Sequence, residues 1–127
     1  MEKFAEFARI AEVEFSNIVL STQDLSHKLR IYLIDKSFID FSYTTELENQ
    51  RFAIHWERTH VDKMIYRLDN TPDRKWRKVK TFPVHFHNKA YDKVVISPFP
   101  MDENLSLKNI FRGFLRFARK QITDVQD

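Results

Sequence analysis

The chain has no cysteine and a single glycine among its 127 residues. Without cysteine there are no disulfides and no thiolate metal sites, which fits a reducing, cytoplasmic setting. With one glycine, neither a glycine-rich phosphate loop nor a GxSxG nucleophile elbow can be built, so the enzyme classes that depend on them are set aside. Turns that need positive φ must fall to Asn, Asp, Lys or Ser. No run approaches the roughly 18 apolar residues that span a bilayer. The opening MEKFAEFARIAEVEF is broken by charge every few residues, unlike a signal peptide. The expectation is a soluble cytoplasmic protein with no membrane segment.

What is abundant is phenylalanine, at 12 residues, within a chain that is 43% hydrophobic and 31% charged. That balance is globular rather than disordered, and the length predicts one domain spanning 1–127 with a real core. Net charge is only +3, yet it is unevenly placed. Between Arg74 and Lys93 the bases Arg74, Lys75, Arg77, Lys78, Lys80, Lys89 and Lys93 face one acid, Asp92. A local excess of this kind suits an anionic partner such as nucleic acid, or simply a solvated loop.

Residues 2–12 read as a helix with Phe4, Phe7, Ala8 and Ala11 on one side. From Glu14 the pattern turns extended. Alternation then places Leu29, Ile31 and Leu33 on one face of KLRIYLI, and resumes in FIDFSYTT after the turn Asp35–Ser37. RFAIHWER sets Phe52, Ile54 and Trp56 against Ala53, His55 and Glu57. After a THVDK turn, MIYRLD sets Met64, Tyr66 and Leu68 against Ile65, Arg67 and Asp69. TFPVHFH is a further extended piece that Pro83 marks as an edge strand or loop. The last element is a helix from about Leu107 to Ile122, N-capped by Ser106, with an apolar stripe from Leu107 to Ala118. Connections this short exclude parallel crossovers. The fold class is therefore α+β: an antiparallel β-meander of about five strands, with an N-terminal and a C-terminal helix packed on the sheet.

Candidate chemistry concentrates between Phe52 and Lys89. His85 and His87 are two apart and share a face of an extended segment, and His55 stands opposite Trp56 on its own strand. Arg67 and Asp69 share a face as well, a pair able to hold a phosphate and orient an imidazole. His55, Arg67, Asp69, His85 and His87 together suit metal-independent ribonuclease chemistry, with two histidines trading protons and a cation on the phosphate. They equally suit histidines that hydrogen-bond loop backbone. A His-x-His metal site with His55 or Asp69 is a weaker alternative, because neither cysteine nor an HExxH spacing supports it. No metal and no cofactor is expected. Trp76 lies among Arg74, Lys75, Arg77, Lys78 and Lys80, where a ring can stack a base while cations hold phosphates, or can anchor a loop to the core.

The order of these pieces resembles a known family. LRIYLIDKSFIDFSYT, the strand with His55-Trp56, Arg67 with Asp69-Asn70 and Pro72, Phe82-Pro83 with His85 and His87, and a C-terminal helix are similar to the TumE-type toxins. The likeness spans about Lys28 to Phe117. Where relatives carry further histidines, this chain has Asp73, Arg74 and Val84. The resemblance implies the toxin of a type II toxin–antitoxin module, with RNA or translation as target and a helix-turn-helix antitoxin as partner. A homodimer stays open. So do two other readings, a non-catalytic module that binds nucleic acid or protein, and a histidine-ligated metal-dependent hydrolase.

Overall fold

Alternation of apolar and polar side chains decides which way each strand faces, and the described residues follow it closely. The computed structural model describes residues 3–44, 51–70, 85–89, 94–95 and 106–126. Along the chain they form α1 (Ala5–Glu14), β1 (Val19–Asp24), β2 (Leu29–Leu33), β3 (Phe38–Tyr43), β4 (Phe52–Arg58), a single helical turn α2 (Thr59–Asp62), β5 (Met64–Asp69), β6 (His85–Lys89), β7 (Val94–Val95) and α3 (Leu107–Gln126). The strands make one antiparallel sheet in sequence order, β1 to β7.

The expected meander and its two helices are present. Of the seven strands, those beyond the expected five or so are the two edges. β1 grows from the extended stretch after Glu14, and β7 is only two residues long. Two local readings need correction. THVDK is not a plain turn, since Thr59–Asp62 closes a helical turn that ends on Lys63 in the left-handed region. Nor is the His85–Lys89 strand an edge, because β6 pairs with both β5 and β7. Pro83, on which the edge reading rested, lies outside the described residues.

Both helices pack on one face of the sheet. Phe7, Ile10 and Ala11 of α1 and Phe111, Phe114 and Leu115 of α3 join Ile31, Phe41, Ile54, Trp56, Leu68 and Phe86 in a single buried cluster. Ring contacts knit the layers: Phe41 lies 4.7 Å from Phe7 and 4.9 Å from Phe111, centroid to centroid. Ala8 packs against this core as the periodicity expects, and Ile10, which it did not assign, is buried as well. Ser106 caps α3 as expected, its Oγ accepting the Asn109 N–H at 3.2 Å.

The scarcity of glycine is answered at the turns. Ser26, Lys36, Lys63 and Lys89 carry positive φ of 65–75°. Around Lys36, Asp35 Oδ1 accepts the Ser37 backbone N–H at 3.0 Å and the Ser37 hydroxyl as well. Ser37 Oγ in turn accepts the Trp56 indole N–H at 2.8 Å, and the Arg58 guanidinium closes on Asp35 and Asp62. The β2–β3 turn is thereby stapled to β4. The opposite face of the sheet carries no helix among the described residues, and the candidate residues lie there.

Candidate functional site

Strand register lines up the chemistry. On the face turned away from the helices, Arg30 of β2 stands beside Asp40 of β3, Asp40 beside His55 of β4, His55 beside Arg67 of β5, and Arg67 beside His87 of β6. Cross-strand neighbours on one face sit close enough to interact directly, so these five side chains form a row across the sheet. Two residues along the strands, Ser42, Ala53 and Asp69 form the next row.

The row is tied together by charge. Arg67 Nε donates to Asp69 Oδ2 at 2.9 Å, and His87 Nε2 lies 3.9 Å from the same oxygen. His55 Nε2 stands 3.4 Å from Glu57 Oε1. Asp40 takes Arg30 at 2.8 and 2.9 Å and Lys28 at 3.0 Å. Access is graded: Arg67 keeps a third of its side chain exposed, His55 15%, His87 10% and Asp69 5%. A concavity of about 280 Å³ opens over Lys28, Asp40, Ser42, Ala53, His55 and Arg67. Its floor is low because Ser42 and Ala53 are small, while the long cations rise around them.

Burial works against the charge of the Asp40 carboxyl, but the hydrogen bonds from Arg30 and Lys28 outweigh it and hold its pKa below the ordinary carboxylate value. Asp35 is lowered against its own burial by Ser37 and Arg58. A carboxylate whose folded pKa is depressed stabilises the fold above its unfolded pKa, near 4, and that stability is lost as pH falls through the folded value. Urea midpoints measured from pH 6 down to 2.5 are therefore expected to fall below about pH 4. Asp40→Asn should be less stable at pH 6 and lose less on acidification. A slope below pH 4 that is unchanged in the variant would refute the role given to Asp40.

The sequence model of the family described as Toxin TumE matches residues 2–125. The chain belongs to the TumE toxin family. No curated protein and no solved structure matches it. Toxin families of this kind are typically paired with antitoxins.

Within this TumE chain the motif residues divide by face. Trp56 and Asn70 are structural: the indole is fully buried, and Asn70 Oδ1 accepts the Phe52 N–H at 2.9 Å. His55, Arg67 and His87 enter the row, with Asp69 beneath. His85 pairs with Asp69 through the backbone, and its side chain lies outside the described residues. The nucleic-acid candidates Arg74, Lys75, Trp76, Arg77, Lys78 and Lys80 also lie outside them. Among the described residues no group of three or more His, Asp or Glu side chains is placed to hold a metal ion. Sequence reasoning missed Lys28, Arg30 and Asp40. Their signal was present: they are the polar alternates to Leu29, Ile31, Ile39 and Phe41, on the face shared with His55. No helix of the described chain is long and apolar enough to cross a membrane.

Proposed function

We propose that this chain is the toxin of a type II toxin–antitoxin module, held in check by a helix-turn-helix antitoxin, and that it acts in the cytoplasm by cleaving RNA without a metal ion. The observation that carries the reading is the row His55–Arg67–His87, where a guanidinium stands between two imidazoles on three adjacent strands. Two strand spacings, about 10 Å, separate the histidine backbones. A phosphodiester over Arg67 would have an imidazole on either side.

In that arrangement a neutral histidine takes the proton of the 2′-hydroxyl, and the 2′-oxygen forms its bond to phosphorus. The bond from phosphorus to the 5′-oxygen breaks, and the other histidine, as imidazolium, delivers its proton to the departing oxygen. The products are a 2′,3′-cyclic phosphate and a free 5′-hydroxyl. Arg67 stabilises the charge that builds on the phosphoryl oxygens. Asp69, beside both Arg67 and His87, orients them. The basic run Arg74, Lys75, Trp76, Arg77, Lys78 and Lys80 lies in the sequence between Asp69 and His85. On sequence grounds it supplies further phosphate contacts.

The low accessibility of His87 favours a second reading, in which the face binds RNA or a partner protein without turnover. Expression in a bacterial host separates the two. The toxin should arrest growth alone and be relieved by a neighbouring helix-turn-helix gene, and His55→Ala/His87→Ala at matched protein level should relieve arrest without the neighbour. RNA from arrested cells should carry new 2′,3′-cyclic ends, formed equally by purified protein in chelator. Growth arrest that survives the double substitution, with no new RNA ends, would defeat the ribonuclease reading.

A further inference from the structure

On a sheet whose outward face is expected to be polar, Phe38 and Tyr32 stand out. They are cross-strand partners on β3 and β2, on the same face as the row. Neither belongs to the buried cluster nor packs against it, and both are half-buried. Arg30 lies over the Phe38 ring, its Cζ 4.1 Å from the centroid. The same guanidinium is clamped on Asp40 through Nε and Nη2. A planar cation fixed in two directions and backed by an aromatic ring is a preformed stacking surface.

We propose that Arg30, Phe38 and Tyr32 form a base-stacking subsite that makes the substrate of this face unpaired RNA. The inference rests on the RNA reading above and adds the class of RNA and the place where a base is held. Arg30 shares the row with His55 and stands two strand spacings from it, about 10 Å, so a base stacked there belongs to a nucleotide close to the phosphate over Arg67. Charge sets the orientation. Lys28 lines the concavity with Ser42 on one side of the row, while Glu57 is the cross-strand partner of Phe38 on the other. The phosphates therefore run on the Lys28 side and the bases turn toward Phe38 and Tyr32. Stacking of this kind needs bases free of their own helix. An A-form duplex presents its 2′-hydroxyls and phosphates outward and keeps its base faces inside, so the subsite discriminates against it.

The test uses a fluorescently labelled, single-stranded 2′-O-methyl oligoribonucleotide, which cannot be cleaved through the 2′-oxygen, and the duplex of the same sequence. Fluorescence anisotropy with the full chain should show the single strand bound at least about tenfold more tightly than the duplex. Phe38→Leu should weaken single-strand binding by about 5- to 100-fold and leave duplex binding unchanged. Phe38→Tyr, which keeps the ring, should retain it. Thermal melting checks that each variant is folded, and Tyr32→Leu replaces Phe38→Leu if the latter is not. Equal affinity for the two forms, or single-strand binding indifferent to Phe38→Leu and Tyr32→Leu, would overturn the subsite and leave the RNA reading standing. No binding of either form would overturn both.

Discussion

Trp56→Ala is expected to lower the unfolding free energy by about 3–5 kcal/mol, the range for removing a fully buried large aromatic side chain. Trp56 is completely shielded from solvent. It stacks on Tyr66 at 5.2 Å and meets the edge of Phe117 at 6.3 Å, so the indole joins β4, β5 and α3. Its N–H donates to Ser37 Oγ, and the Arg58 guanidinium lies 4.5 Å from its ring. The substitution opens a cavity, removes the donor that fastens the β2–β3 turn, and uncovers Arg58. A domain of this size is stable by roughly 5–15 kcal/mol, so much of the margin goes. Trp56→Phe keeps most of the ring, loses the hydrogen bond, and should cost about 1–2 kcal/mol. Urea unfolding of the three proteins measures both differences. A loss below about 1 kcal/mol for Trp56→Ala would contradict the packing. The pair also separates Trp56 from its neighbour in the motif. Trp56→Phe should keep its toxicity, whereas His55→Ala should not.

That neighbouring residues of the motif face opposite ways was legible from period-two alternation alone. His55 and Trp56 had to face opposite ways on any strand, as did Arg67 and Leu68. The same rule placed His85 and His87 on one face, and the backbone register against β5 pairs His87 with Arg67 and His85 with Asp69. Alternation says nothing about which residues of different strands share a row. That depends on turn geometry, and one residue of slippage moves every side chain to the other face. Here the register is pinned by Lys36 in the left-handed region, by the hydrogen bonds around Ser37, and by the Arg58–Asp35 ion pair. None of these has a sequence signal strong enough to align Arg30 and Asp40 with His55. A charged alternate on a strand reads as ordinary solvated surface, and only the ion pairs in the fold set Lys28, Arg30 and Asp40 apart from it. The α1 helix shows the converse. Its periodicity was clear and Phe4, Phe7, Ala8 and Ala11 all meet the core, but the stripe is wider than those positions and takes in Ile10 too.

Arg67→Gln is expected to reduce RNA cleavage by roughly 10²–10³-fold, the usual effect of removing one donor that stabilises developing charge. The fold should be little disturbed. Arg67 is more accessible than His55 or His87, and glutamine keeps a polar side chain beside Asp69. Binding should respond differently from rate. Loss of one phosphate contact lowers the dependence of log K on log salt by about one unit and weakens binding to all sequences alike. Cleavage should therefore fall much further than affinity, because the guanidinium matters most when charge accumulates on the phosphoryl oxygens. Asp69→Asn makes the complementary case. With 5% of its side chain accessible and its carboxylate beside Arg67 and His87, Asp69 would act through them rather than on RNA in the proposed reaction. Its loss should lower the rate and leave the salt dependence unchanged. Measured in chelator, these two variants divide the face into a group that meets the phosphate and a group that holds it in place. If Arg67→Gln altered affinity and rate by the same factor, the guanidinium would be a binding contact only, and the open face would be a surface that holds RNA without turning it over.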